Sequence, residues 1–359
     1  MASLLDCLPS PDPDWRRLDK VLRRRGEPDR VPLVELFADE EIMAAFLDVG
    51  MDAFGGPGDA GLRLYREFAR RAGFDYLSRQ VEMKLEWYGL KADDTAVLAR
   101  QERTWMEEHK GPITTRKQYR DYKWPKPGDF DPTAHDWCLA NVPEGMGVIG
   151  WVPGICESVT WLMGYETFCY ALADAPDLVD DVASRCAELL YAATEYVAAQ
   201  EGVMAVWSSD DMGFKNQPFA SPDVMRKYFL AVHKRMAATA HAADKPYMLH
   251  SCGNLETIME DLIEDVGVDA KHSFEDAFEP VADFKRRYGT RIAALGGVDM
   301  DVLARRTPEY IRACTRKILE DCSHGGAFAV GSGNTVANYI PPENYLAMLQ
   351  AWNEFNGRG

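Results

Sequence analysis

The sequence predicts an α/β protein built as a (β/α)8 barrel, and three observations support this fold class. The first is length, because 359 residues accommodate the roughly 250 residues of such a barrel together with extensions. The second is an alternation of short apolar runs with longer helical segments, which indicates a parallel sheet. The third is the number of strand-like runs, since eight of them predict closure into a barrel: residues 31–37, 75–81, 147–152, 204–208, 246–250, 270–274, 292–296 and 327–330.

Helix-start signals separate several of these runs. Ser221 and Thr307 each precede a proline and an acidic residue, the pattern of an N-cap followed by a first helical turn. Apolar residues near helical spacing predict a helix from 222 to about 243. We expect a single domain over residues 1–359. An N-terminal helical extension over 1–30 would close the barrel bottom, and an inserted cap of hairpin and short helices would occupy 82–145.

Composition excludes some classes of partner. The formal net charge is −17, with no basic stripe, which argues against nucleic acid and anionic membranes. The apolar stretches are of strand length, so no membrane span is predicted. The N-terminus lacks the basic and long apolar regions of a secretory signal, and we expect a cytoplasmic protein. The eight cysteines form no regular framework, and Cys186, Cys314 and Cys322 lie in helical runs where a structural role is expected.

The strongest candidate site is the pair His250 and Cys252 at a predicted strand end. Alternate residues of a strand face the same side, so both side chains can point into the barrel mouth, where such folds place their functional groups. Imidazole and thiolate are preferred ligands of zinc, and a Lewis-acidic site needs about three protein ligands and an open position. The alternative is a buried thiol beside a hydrogen-bonded histidine.

Further candidates follow the other predicted strands. Asp210 and Asp211 could bind a cation, orient a polar substrate or act as acid and base, or they could be an N-cap and a solvated neighbour. Asp299 could equally be a helix cap. Aromatic residues of the mouth could sandwich an aromatic ring or could be core and lid residues: Phe37, Trp151, Trp161, Trp207 and Phe214. Polar candidates at the remaining strand ends are Glu157, Asn254, His272 and Asn334.

These residues, in this order, resemble the uroporphyrinogen decarboxylase superfamily, which includes the decarboxylase and the corrinoid-dependent methyltransferases. Residues 210–213 (DDMG), followed by Ser221 and Pro222, are similar to its "DD-G … SP" segment, and residues 250–254 (HSCGN) are similar to its "H-x-C-G-N" strand end. Residues 296–299 (GGVD) and 331–334 (GSGN), followed by 341–344 (PPEN), resemble its last two strand ends. The resemblance implies a barrel enzyme.

Two departures select between the branches. The arginine-rich segment with which the decarboxylase holds its substrate corresponds to residues 31–37, which contain Glu35 and no arginine. Uroporphyrinogen is therefore not the expected substrate. The methyltransferase branch binds zinc through the H-x-C pair and a second cysteine, but Ser332 stands at that third position. A carboxylate from Glu157, Asp210, Asp211 or Asp299 would then complete a harder site, suited to an ether or hydroxyl oxygen.

The resemblance implies a methyltransferase of the O-demethylase type. It would move a methyl group from a small methoxylated aromatic donor to the cobalt of a corrinoid (cobalamin type) carried by a partner protein, with Zn²⁺ bound by His250 and Cys252. Three alternatives stay open: methyl transfer from a corrinoid to a thiol or a folate, decarboxylation of a smaller acid, and a non-catalytic corrinoid- or tetrapyrrole-binding module. The oligomeric state is open, with a homodimer as one option.

Overall fold

The computed structural model describes residues 3–100, 102–107 and 109–358. Its strands, in chain order, are β1 (Tyr76–Gln80), β2 (Glu82–Met83), β3 (Gly89–Asp93), β4 (Glu102–Met106), β5 (Phe130–Asp131), β6 (Gly147–Pro153), β7 (Val203–Ser209), β8 (Tyr247–His250), β9 (Ala270–His272), β10 (Ala293–Leu295) and β11 (Phe328–Ala329). Seven of them form one parallel sheet in the order β1-β6-β7-β8-β9-β10-β11.

Helices connect these strands and cover the sheet. They are α1 (Arg16–Leu22), α2 (Glu40–Leu47), α3 (Ala60–Ala72), α4 (Arg116–Asp121), α5 (Thr133–Asn141), α6 (Ile155–Met163), α7 (Tyr165–Asp174), α8 (Pro176–Ala199), α9 (Pro222–Met225), α10 (Ala231–Ala242), α11 (Val281–Tyr288), α12 (Met300–Arg305), α13 (Pro308–Cys322) and α14 (Pro342–Phe355). A π-helical turn, Arg226–Leu230, joins α9 to α10, so the predicted helix from 222 is present with a local irregularity.

Two predicted helix starts are confirmed. The side chain of Ser221 accepts a hydrogen bond from the backbone N–H of Val224 at the start of α9, and Thr307 does the same for Tyr310 in α13. In both cases a proline occupies the first helical position, where no intrahelical N–H is needed. The local sequence therefore determines where helices α9 and α13 begin.

The first predicted strand, residues 31–37, is not a strand of the sheet. Leu33 makes a single parallel bridge to Val330, next to β11. On its other side, the Tyr76 hydroxyl of β1 donates to the carbonyl oxygen of Glu35 (2.5 Å) and accepts from its N–H (2.9 Å). The hydrogen bonds of the Tyr76 side chain thus take the place of backbone strand pairing between this segment and β1. The seven-stranded sheet curls until both edge strands contact this segment, but the described residues contain no continuous eight-stranded ladder.

The N-terminal residues lie at the amino ends of the strands. The N–H of Trp15 donates to the carbonyl of Gly145, two residues before β6, at 2.8 Å. The buried Arg17 lies 3.5 Å from Asp75, which precedes β1. The opposite, carboxyl edge of the sheet is therefore left for the candidate site. None of the helices that the structure describes is long and apolar enough to cross a membrane.

The segment between β1 and β6 contains two small antiparallel pairings. Strands β3 and β4 form a hairpin, and β2 pairs with β5. Helix α5 packs against β1 and β6, as a helix joining two parallel neighbours does. The hairpin lies within residues 82–145, and α5, in the same stretch, is part of the helical layer around the sheet.

Candidate metal centre

Three potential metal ligands converge at the carboxyl edge of the sheet. Asp211 follows β7, His250 ends β8, and Cys252 lies two residues further on. Their ligand atoms all lie within 4.8 Å of one another. The His250 Nε2 atom is 3.5 Å from Cys252 Sγ and 3.4 Å from Asp211 Oδ1.

These separations fit a single tetrahedral ion. Typical zinc bonds to nitrogen, sulfur and oxygen at tetrahedral angles place N and S about 3.5 Å apart and N and O about 3.3 Å apart. The two distances from His250 Nε2 match these values. The set of one oxygen, one nitrogen and one sulfur donor leaves a fourth position for a reacting group.

Close contact between two loops brings these ligands together. Gly253 has φ = +84°, and a Cβ atom there would lie 2.1 Å from the carbonyl oxygen of Gly213. Only glycine permits this approach. It allows the N–H of Cys252 to donate to Asp211 Oδ1 (2.9 Å) and the N–H of Met212 to donate to Ser251 Oγ (3.1 Å). Residues 250–254 (HSCGN) thus hold the Cys252 thiol beside the Asp211 carboxylate.

The Cys252 sulfur accepts two hydrogen bonds from neighbouring strand ends. Asn334 Nδ2 lies 3.1 Å from Sγ, and Ser273 Oγ lies 3.7 Å from it. Burial, and next the Asp211 carboxylate, hold the pKa of the Cys252 thiol well above its usual range, while the Ser273 and Asn334 hydrogen bonds act in the opposite direction. A cation bound between His250 and Asp211 would favour the thiolate.

The carboxyl groups of Asp211 and Glu157 are driven to opposite protonation states. Burial raises the pKa of Asp211, but the hydrogen bond and charge of His250 and the hydrogen bond from the Cys252 N–H outweigh it and lower the pKa to about 2. For Glu157, burial and then the charges of Asp211 and Asp210 raise the pKa well above its usual range. Glu157 is therefore placed to hold a proton while Asp211 is ionised.

Asp210 faces away from the metal ligands. Its fully buried carboxylate accepts from the N–H groups of Cys156 (3.0 Å) and Glu157 (2.9 Å), and its Oδ2 atom lies 2.7 Å from His233 Nε2. It thereby caps the first turn of α6 from a neighbouring strand. A Cβ atom at Gly154 would lie 2.0 Å from Asp210 Cβ, so glycine is required for this contact. Of the two aspartates expected to act chemically, Asp210 orients the helix that carries Glu157.

An aromatic pair forms a wall beside the cluster. The rings of Phe37 and Trp151 stack with centroids 6.0 Å apart and an interplanar angle of 17°. Trp151 Nε1 donates to Ser209 Oγ at 2.9 Å, and Gln80 Nε2 lies 3.5 Å from the same oxygen. Both rings line a cleft of about 520 Å³. Because Ser209 pairs in register with His250, the wall and the metal ligands belong to the same end of the sheet.

The other predicted substrate contacts are distributed differently. Trp207 and His272 are 0% exposed and meet edge to face inside the sheet, so they do not line an open cleft. Phe214 is exposed and packs with Phe219 at 4.5 Å on the rim. The side chain of Asn254 accepts from the N–H of Glu256, which is a local turn contact. The mouth aromatic Trp161 packs against Trp87, next to the hairpin, with ring centroids 5.2 Å apart.

Asn334 and Asp299 border a second cleft of about 850 Å³. Asp299 is a helix cap, one of the two roles considered for it, since its Oδ1 atom accepts from the N–H of Asp301 at 2.7 Å. Asn334 reaches the cluster directly through Cys252 Sγ. This cleft therefore opens onto the sulfur side of the site.

Ser332, at the position of the expected third ligand, points elsewhere. Its hydroxyl donates to the Glu35 carboxyl group, and its N–H donates to Glu35 Oε1 at 2.8 Å. Both residues are buried, and burial raises the pKa of Glu35 to about 8 in spite of the Ser332 hydrogen bonds. Glu35 thus accepts the hydrogen bonds of the buried serine, and Asp211 supplies the third potential ligand atom of the cluster.

Sequence reasoning missed three polar residues of the site: Gln80, Ser209 and Ser273. Each is the last residue of a strand or the residue directly after one. Inspection of every polar residue at a strand end would have found them, but small polar residues are too common there to select by type.

The chain is similar to proteins of known family. Residues 109–355 match the family model described as uroporphyrinogen decarboxylase (URO-D). A uroporphyrinogen decarboxylase of Nitrosomonas europaea is 28% identical over 191 residues, which are 52% of this chain and 50% of that protein. One of Methylococcus capsulatus is 37% identical over 76 residues, 21% of each chain. The chain thus spans about half the length, or less, of these curated relatives.

A solved structure shares the fold over nearly the whole chain. It is a methyltransferase from Methanosarcina mazei, with a TM-score of 0.66 and 17% sequence identity, and the match covers 94% of this chain and 98% of that one. The likeness shows a common architecture for the sheet and its helical layer.

Proposed function

Because the chain belongs to the uroporphyrinogen decarboxylase family, as its motifs predict, we propose that it is a methyltransferase of that fold. It moves a methyl group from a small methoxylated aromatic donor to the cobalt of a corrinoid carried by a partner protein. The observation that carries this proposal is the cluster of Asp211, His250 and Cys252 beside the Phe37–Trp151 wall. The Methanosarcina mazei protein of the same fold is a methyltransferase.

Asp211, His250 and Cys252 would hold Zn²⁺. When bound, the ion would stabilise negative charge on the oxygen from which the methyl group departs. A carboxylate in place of a second thiolate makes the donor set harder, which suits an ether oxygen better than a thiol. The ligand set therefore favours an oxygen-bound methyl donor.

Phe37 and Trp151 would hold the donor ring. Offset stacking contributes roughly 0.5–1.5 kcal/mol beyond the burial of area, and the cleft of about 520 Å³ suits a small molecule. The hydrogen bond from Trp151 Nε1 to Ser209 Oγ fixes the indole plane. A ring stacked on this pair would lie at the same end of the sheet as Asp211, His250 and Cys252, since Ser209 pairs in register with His250.

Glu157 would supply the proton that the departing oxygen needs. Its carboxyl group retains a proton at neutral pH because burial and two neighbouring aspartates raise its pKa. The carbon–oxygen bond breaks as the methyl group leaves for the acceptor, and the oxygen takes the proton of Glu157. Asp210 holds the first turn of α6, and therefore Glu157, in place.

A decarboxylase of a small acid is the second candidate, and the curated relatives favour it. They are uroporphyrinogen decarboxylases that match about half of this chain. The buried Glu35, where arginines would be needed, disfavours a polycarboxylate substrate.

One assay separates the two functions. The purified protein is incubated anaerobically with 2-methoxyphenol and reduced free cobalamin as acceptor, and methylcobalamin is followed by absorbance. We expect methyl transfer that is lost on chelation and in Cys252→Ala, with the exposed Cys7→Ser as the matched control. Full transfer without metal would contradict the zinc role. Release of carbon dioxide from 2-methoxybenzoate, without methylcobalamin, would establish the decarboxylase instead.

A further inference from the structure

Two histidines of adjacent strands face each other through the same ring atom. His250 and His272 are register partners in β8 and β9. Their Nδ1 atoms lie 2.7 Å apart, and their ring centroids lie 4.9 Å apart. His272 is 0% exposed and His250 is 5% exposed, so this contact is buried. One proton must therefore lie between the two nitrogen atoms, donated by one ring and accepted by the other.

The direction of this hydrogen bond decides whether His250 can bind a metal. If His272 donates, neutral His250 carries its own proton on Nε2, and that proton faces Asp211 and Cys252. If His250 donates from Nδ1 and carries no second proton, as when a metal ion takes the place of the Nε2 proton, its Nε2 lone pair points into the cluster. Only the second tautomer is a ligand, because a metal bond requires an unprotonated nitrogen.

The surroundings of His272 support the second arrangement. When His272 accepts at Nδ1, its own proton lies on Nε2. Both that Nε2 atom and the carbonyl oxygen of Ser332 lie next to Gly296. A Cβ atom placed at Gly296 would be 3.1 Å from the nitrogen and 2.4 Å from the oxygen. The Ser332 carbonyl is therefore a neighbouring acceptor for an Nε2 proton, outside normal hydrogen-bond geometry among the described residues.

We propose that His272 is a positioning residue of the metal centre, which holds His250 in the Nδ1–H tautomer and keeps its Nε2 atom directed at the ion. This inference rests on the proposed zinc site. Metal-bound histidines usually donate their second N–H to a carboxylate, a carbonyl or a water. Here a second, fully buried imidazole takes that place. The role differs from the substrate contact expected for His272 from its strand-end position.

Metal affinity measured with the metal alone tests the proposal. Co²⁺ binding is followed by the thiolate–cobalt absorption, and Zn²⁺ binding by competition with a chromophoric chelator. In His272→Leu no acceptor remains, and we expect the dissociation constants to rise about 10- to 100-fold. In His272→Asn the amide oxygen can stand where Nδ1 stood, and we expect affinity within a few-fold of the unsubstituted protein.

Trp207→Phe is the matched control for packing. Trp207 contacts the His272 ring edge to face at 5.5 Å but makes no hydrogen bond to it. We expect this variant to bind both metals as the unsubstituted protein does. Equal affinity in His272→Leu and the unsubstituted protein would overturn the role of His272 and leave the zinc site standing. Absence of metal binding in the unsubstituted protein would overturn the zinc site itself.

A spectroscopic measurement on the unsubstituted protein covers the case in which His272→Leu does not fold. Long-range ¹H–¹⁵N correlation spectra of histidine-labelled, zinc-loaded protein report the protonated nitrogen of each ring. We expect a proton on Nδ1 of His250 and on Nε2 of His272. A His250 ring bound through Nδ1, or protonated on Nε2 with zinc present, would contradict the proposal.

Discussion

Cys252 Sγ lies 3.5 Å from His250 Nε2, the separation of a sulfur and a nitrogen that share one tetrahedral zinc ion. The two residues are separated by one position in the sequence, and Asp211 approaches both from the preceding loop. The chemistry of the proposed site depends on this three-residue arrangement.

Removal of the oxygen ligand should weaken metal binding without unfolding the protein. We expect Asp211→Ala to raise the Zn²⁺ dissociation constant by more than about 100-fold, since loss of a ligand costs more than loss of its supporting hydrogen bond. Chelator competition measures it. Asp301→Ala removes an exposed carboxylate from the neighbouring cleft and should leave the affinity unchanged. Equal affinities in the two variants would remove Asp211 from the ligand set.

Asp210 should behave in the opposite way. In Asp210→Asn the amide group cannot accept from the Cys156 and Glu157 N–H groups and also from His233. We expect the free energy of unfolding to fall by about 3 kcal/mol, the range for buried hydrogen bonds to a charged group. Urea denaturation measures it, with Asp211→Asn as the adjacent, partly exposed control. An unchanged unfolding midpoint would show that the cap of α6 is not needed.

Glu35 should make stability depend on pH. Its pKa is raised from 4.5 to about 8 in the folded protein, so the folded state holds the proton that the unfolded state releases. The free energy of unfolding should therefore fall as pH rises from 4.5 to 8, by up to roughly 5 kcal/mol in total. We expect Glu35→Gln to flatten this dependence in denaturation curves measured at several pH values. The exposed Glu40→Gln should keep the slope of the unsubstituted protein, and the same slope in Glu35→Gln would refute the assignment.

The aromatic wall should govern donor affinity. Trp151→Ala removes one face of the stack with Phe37, and we expect the dissociation constant for a methoxylated ring to rise about 2- to 13-fold. Quenching of tryptophan fluorescence by 2-methoxyphenol measures it. Trp161→Ala is the comparison variant, because Trp161 packs against Trp87 outside the cleft. A larger loss of affinity in Trp161→Ala would place the donor elsewhere.

Strand-end residues were predictable because their positions follow from local patterns. A few adjacent residues are enough to show the alternation of His250 and Cys252 and the glycine after them. The same holds for the helix starts at Ser221 and Thr307. The seven sheet strands were found by the same means, and so was the family, whose motifs surround these positions.

The remaining features depend on contacts between distant segments. Asp210 and Asp211 are equivalent in the sequence, and only the start of α6 and Gly154 decide which of them turns away from the ligands. Residues 31–37 have the apolar pattern of a strand, yet Pro32 has no N–H, and the Tyr76 hydroxyl takes the place of a ladder. Trp207 and His272 occupy strand-end positions but are fully buried and pack against each other.

Zinc K-edge X-ray absorption of the purified protein, combined with elemental analysis, tests the central claim most directly. The account predicts one zinc ion per chain with a single sulfur at about 2.3 Å and nitrogen or oxygen ligands at about 2.0–2.2 Å. In Cys252→Ala the sulfur shell should disappear. Protein without zinc, or a zinc ion with no sulfur ligand, would contradict it.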